Sequence, residues 1–160
     1  MKENHLYLMC PDCHIEVALN NQFCHDNTSF TALGSIFDFS DLGLARELDS
    51  FIDREKISHI IIVNDPDCTF IKNTITNPDK GKTVADVELK RLQTNNHEKF
   101  ALLDTSSQQE LLAKLNIYRQ AFELLEVPSI GDKISHGQIA VSGLLYDRIT
   151  KTFKVVAMEW

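Results

Sequence analysis

The run Ile57-Ser58-His59-Ile60-Ile61-Ile62-Val63 is the strongest strand signal in the chain. Three isoleucines and a valine in succession suit a strand buried on both faces, the setting of a central strand in a parallel sheet. The run stops at Asn64-Asp65-Pro66-Asp67, residue types that favour turns. Cys68 follows, and Thr69 to Ile75 reads as the opening of a helix. Asp65 and Cys68 are therefore expected at the carboxyl end of a central strand, where open α/β sheets usually bind ligands and metals.

Other elements assemble around this strand. His5 to Met9 predicts a short apolar strand that ends at Cys10-Pro11-Asp12-Cys13-His14. Asn20 to Ser29 is polar, carries Cys24-His25 and reads as a loop; a metal role for that compact pair stays open. Phe30 to Phe37 predicts a second strand. Ser40 or Asp41 then caps a helix to about Glu55, with Leu44, Leu48 and Ile52 on one face. Val84 to Leu92 predicts a short helix and Lys99 to Leu103 a further strand. The longest helix is expected from Thr105 or Ser106 to about Glu126, stopped by Pro128. Gln138 to Tyr146 and Thr152 to Met158 predict a hairpin joined by Asp147 to Lys151. Strands alternating with helices give an α/β fold, a mostly parallel sheet flanked by helices with an antiparallel C-terminal edge hairpin, in one domain over residues 1–160.

Charge and composition bound the function. The net charge of −7 disfavours a nucleic-acid partner, because phosphate binding needs basic surface. No run reaches membrane-spanning length and no signal peptide is evident, so a cytoplasmic location without membrane attachment is expected. The four cysteines, Cys10, Cys13, Cys24 and Cys68, then read as thiols or metal ligands rather than disulfides.

Two blocks carry a resemblance. Cys10-Pro11-Asp12-Cys13-His14 is similar to the Cys-x-Asp-x-Arg signature of the β-class carbonic anhydrases, and Asn64-Asp65-Pro66-Asp67-Cys68 to their Gly-His-x-x-Cys signature. Ala45 to Val63, Arg119-Gln120, Leu124-Leu125 and Val141 to Asp147 resemble other parts of the family in the same order. The resemblance implies a zinc protein that reversibly hydrates carbon dioxide to bicarbonate, and a homodimer or higher homo-oligomer. It implies metal ligands Cys10, Asp65 and Cys68, with Asp65 where the family has histidine, and catalytic roles for Asp12 and for His14, which stands where the family has arginine. Of the family's Arg-Asn-Ala-Gly segment only Gly34 remains, in Ala32-Leu33-Gly34-Ser35.

The departures bear on the chemistry. His14 cannot form the two-pronged bond that an arginine gives a carboxylate. A carboxylate in place of a neutral imidazole leaves the metal site more negative and the metal a poorer Lewis acid, so activity is expected to be weakened. Aspartate is nonetheless a legitimate zinc ligand. Cys13 opens a second ligand set, Cys10, Cys13 and Cys68, which if completed by Asp65 or His14 would be a closed, structural site with no position for water. Two further readings stay open. One is a non-catalytic descendant of the fold that binds a metal or ligand; the other is a thiol redox protein using Cys10 and Cys13, after a glutaredoxin-like Cys-Pro-Asp-Cys motif.

Overall fold

The computed structural model describes residues 3–23 and 26–158, with the backbone alone at Asp26. Cys24-His25 lies outside the described residues. Five strands, β1 (Asn4–Met9), β2 (Asp26–Thr31), β3 (Ile57–Asn64), β4 (Ala140–Asp147) and β5 (Thr152–Val156), form one sheet in the order β2-β1-β3-β4-β5. The first three pairings are parallel, and β4 with β5 is antiparallel. Seven helices accompany them among the described residues: α1 (Glu16–Gln22), α2 (Leu42–Glu55), α3 (Thr69–Thr76), α4 (Val84–Asn95), α5 (His97–Phe100), α6 (Thr105–Glu126) and α7 (Pro128–Ser135). None is long and apolar enough to cross a membrane. The expected α/β architecture, parallel sheet and edge hairpin are all present.

The isoleucine run is central because it can be buried on both sides. Ile60 to Asn64 are all buried between β1 and β4. Across the register, Leu8, Ile62, Gly143 and Val156 lie side by side on the face that receives α6. Gly143 is there for space: a Cβ would come within 2.4 Å of Ile117 Cγ2 and 3.0 Å of Met158 Cε. Gly143→Ala is expected to destabilise the protein by about 1–3 kcal/mol through overpacking, read by thermal unfolding. An unchanged melting temperature would mean that α6 does not bear on the sheet at this point. On the opposite face, Phe23 covers Tyr7 and meets Phe153, which in turn packs on Tyr146.

Three expectations are corrected. Lys99 to Leu103 is not a strand; it is the end of α5 and a turn, with Leu102 99% exposed. An apolar run of five is too short to tell strand from helix, and here the Gln108 amide closes the turn by donating to the Phe100 and Leu103 carbonyls. The second strand runs from Asp26 to Thr31, not from Phe30 to Phe37. It lies at the sheet edge, where Asn27, Thr28 and Ser29 meet solvent, so its polar half reads as loop. Positive φ at Gly34 (63°) and Ser35 (54°) turns the chain out of the sheet. Asn20 to Ser29 correspondingly holds the end of α1 and four of the six residues of β2. Pro128 stops α6 as expected, and it also opens α7 as its first residue, where a missing N–H costs nothing.

Candidate metal centre

Cys10 follows β1 directly, and Cys68 lies four residues beyond β3, the adjacent parallel strand. Both chain exits tighten at once. After β1, the Cys13 N–H returns to the Cys10 carbonyl at 3.2 Å, forming a single 3₁₀ turn over Pro11–Cys13. After β3, the Cys68 N–H returns to the Asp65 carbonyl at 2.9 Å, and the Asp67 N–H bonds Asp65 Oδ1 at 2.7 Å. The second bond makes an Asx turn, the local use of a short carboxylate that turn chemistry favours. The two turns bring three thiols together. Cys10, Cys13 and Cys68 are buried (2%, 6% and 2% exposed), and their sulfurs all lie within 4.8 Å of one another.

The three thiols are electrostatically unequal. Hydrogen bonds from the Cys13 and Cys68 thiols, and from the Asp12 and Gly34 N–H groups, hold Cys10 well below the usual thiol range against the opposing effect of burial. The Gly34 N–H lies 3.2 Å from Cys10 Sγ. Donating to Cys10 pushes both Cys13 and Cys68 up, and burial adds to this. The cluster alone therefore favours one thiolate shielded by two thiols.

A cation would relieve that restriction and let all three ionise. The dimensions agree: zinc–thiolate bonds of about 2.3 Å give a tetrahedral sulfur–sulfur edge of about 3.8 Å, and Cys10 Sγ to Cys68 Sγ is 3.7 Å. The residues fit a soft-metal site.

The other expected site residues are placed as follows. Asp65 is buried but stands outside the thiol cluster; its Oδ2 accepts from Arg148 Nε. Burial pushes the Asp65 carboxyl above its usual range, and the bonds from Arg148 and the Asp67 N–H oppose that. Asp12 Oδ2 accepts from the Thr69 N–H at 3.1 Å, so it serves the first turn of α3, where Cys68 offers no side-chain cap. His14 is exposed at the end of the 3₁₀ turn with φ 50° and does not join the thiol cluster.

Arg148 is the residue that reading the sequence missed. It sits in the hairpin turn, 83 positions from Asp65, and its charge also acts on Cys13. No spacing rule links a turn arginine to a strand end that distant. Gly34, by contrast, was visible, though its N–H on Cys10 was not.

The carbonic anhydrase family model matches residues 9–152, and the chain belongs to that family. Solved structures similar to it include β-class members. CafD of Aspergillus fumigatus is 18% identical with a TM-score of 0.82, covering 97% of this chain and 90% of that one. One of the tetrameric β-carbonic anhydrases of Sordaria macrospora is 19% identical with a TM-score of 0.83, covering 99% and 82%. The Coccomyxa enzyme, solved with acetazolamide, is 21% identical with a TM-score of 0.79, covering 98% and 72%. No curated protein matches the chain. At these identities the neighbours establish the β-carbonic anhydrase fold and leave the chemistry to the residues of this chain.

Proposed function

We propose that the chain holds one zinc ion on Cys10, Cys13 and Cys68 and reversibly hydrates carbon dioxide to bicarbonate, with activity displaced to alkaline pH. The observation that carries this reading is the buried three-sulfur cluster at the ends of two adjacent parallel strands, in a member of the carbonic anhydrase family. When bound, the metal would supply Lewis acidity that makes water a better nucleophile. The chain's own groups bind and orient. Asp65 has lone pairs beyond those used by Arg148 and Asp67, so it can accept a hydrogen bond from the attacking water. Arg148 is 40% exposed and carries a fixed positive charge at the edge of the site, suited to holding the product anion. In this reading the paired roles expected of Asp12 and His14 fall to Asp65 and Arg148, and Asp12 anchors α3.

The test is elemental analysis of the purified protein together with a hydration assay from pH 7 to pH 9. Zinc near one per chain with hydration that increases with pH is the expected result. Zinc without hydration at any pH would favour the non-catalytic descendant, a reading supported by the deep burial of all three sulfurs. Protein that neither contains nor takes up zinc would leave the thiol redox reading.

A homo-oligomer is part of the same proposal. Val84 and Val87 on α4 and Tyr118 and Phe122 on α6 are large apolar or aromatic residues left exposed, Val84 by 73% and Phe122 by 60%. Light scattering at tens of micromolar is expected to give at least twice the 18.2 kDa chain mass. A monomer under those conditions would refute the assembly.

A further inference from the structure

Asn116 lies in the middle of α6 and is fully buried. A buried amide is costly unless it is hydrogen-bonded. Its Nδ2 donates to the Gly34 carbonyl at 3.0 Å and to Asn64 Oδ1 at 2.9 Å, which uses both hydrogens. The orientation follows from the first bond: a carbonyl only accepts, so the atom facing Gly34 must be the nitrogen. Asn116 Oδ1 and Asn64 Nδ2 are left buried without a hydrogen-bond partner among the described residues. A leucine would fill the same position without that penalty, so the network is not explained by packing.

What the network holds is the turn at Leu33–Ser35. Gly34 and Ser35 both have positive φ, and an L residue such as Ser35 costs about 1–2 kcal/mol in that region. The turn is fixed from three sides. Ser35 Oγ bonds the Val63 carbonyl at 3.1 Å, the Ser35 N–H bonds the Ala32 carbonyl at 2.9 Å, and Asn116 bonds the Gly34 carbonyl. One turn further along α6, the fully buried Gln120 accepts from the Phe37 N–H at 2.9 Å and secures the exit of the same loop. The Gly34 N–H, at the centre of this clamp, is the group that meets Cys10 Sγ.

We infer that Asn116 is a positioning residue for the Cys10 thiolate: it fixes the Gly34 backbone so that its N–H stays aimed at the sulfur. The inference rests on reading Cys10 as a metal ligand. An N–H bond to a thiolate draws charge off the sulfur and sets both its direction and its donor strength toward a metal. Without Asn116 the Gly34 carbonyl loses its buried donor and the Gly34–Ser35 peptide is held only through Ser35, by its bonds to Ala32 and Val63, so the Gly34 N–H is aimed less tightly at the sulfur.

The test uses cobalt(II) as the probe, loaded into the whole protein. Asn116→Leu keeps side-chain volume and removes the donor. Its thiolate-to-cobalt charge-transfer bands are expected to move to longer wavelength, and its cobalt affinity by chelator competition to fall about 10- to 100-fold. Gln120→Leu is the structural control. It removes a buried amide from the same helix and loop but not from Gly34, so it should lower the melting temperature and leave the bands in place. Asn116→Leu with the parent's bands and affinity, or Gln120→Leu shifting the bands equally, would overturn the inference alone. A parent without thiolate bands would overturn the ligand set and the inference with it. If Asn116→Leu does not fold, the parent loaded with cadmium-113 decides. A scalar coupling from the Gly34 amide proton to cadmium, with slowly exchanging Asn116 Nδ2 protons, supports the assignment; the absence of that coupling overturns it.

Discussion

Cys68→Ser is expected to purify without zinc and to melt about 8–16 °C below the parent. The size follows from two relations. A ligand present at a thousand times its Kd stabilises the folded state by about 4 kcal/mol, and a domain of this size moves by about 2–4 °C per kcal/mol. The loss should stop there, short of unfolding, because the core is built without the metal: Leu6, Leu8, Ile60, Ile62, Leu112 and Ile117 are all fully buried. Scanning calorimetry with and without a chelator checks the cause. Chelator should bring the parent down to the variant and leave the variant unmoved. A parent that takes up no zinc and melts together with Cys68→Ser would sink the metal reading. Cys13→Ser separates the two ligand sets. It should behave like Cys68→Ser if three thiolates bind. If it keeps the metal while Asp65→Ala loses it, the ligands are Cys10, Asp65 and Cys68.

How much of this was legible depended on how local the cause was. The central strand showed in the sequence because four β-branched residues in a row have few alternatives to a strand buried on both faces. The ends of α2 and α6 showed because Asp41 and Pro128 act on their immediate neighbours; Asp41 Oδ1 caps the Leu44 N–H at 2.9 Å. Cys10 and Cys68 could be brought together because the family's two blocks lie in the expected order. Beyond that, spacing alone fails. The choice of Cys13 rather than Asp65 as the third neighbour is made by a 3₁₀ turn on one side and an Asx turn on the other. The partner of Asp65 comes from a hairpin turn 83 residues away. The polar edge strand β2 and the turn before α6 failed for the opposite reason, since their local signals were contradicted by where the chain placed them.

Hydration of carbon dioxide by the unmodified protein is expected to be weak at pH 7 and to increase above pH 8. The argument is one of charge. Two thiolates and a neutral imidazole balance a divalent cation. Three thiolates leave one negative charge in excess, as would two thiolates and the Asp65 carboxylate, so the direction does not depend on which third ligand is used. A more negative ligand set makes the metal a weaker Lewis acid and raises the pKa of the water that must ionise. Each unit of displacement removes about tenfold of the activity at a fixed lower pH. Arg148 offsets part of this, since its charge acts on Cys13, but it is also shared with the buried Asp65 carboxyl. Cys13→His exchanges the third thiolate for a neutral imidazole and leaves the Asp65–Arg148 pair in place. With zinc still bound, it should raise hydration at pH 7 by at least about tenfold over the parent. Full activity of the parent at pH 7 would refute the charge argument. A Cys13→His variant that binds zinc without any gain would move the cause to the Arg148–Asp65 pair, and Arg148→Lys then reads it directly: lysine keeps the charge but not the planar donor set, so hydration should fall further at every pH if that pair orients the reaction.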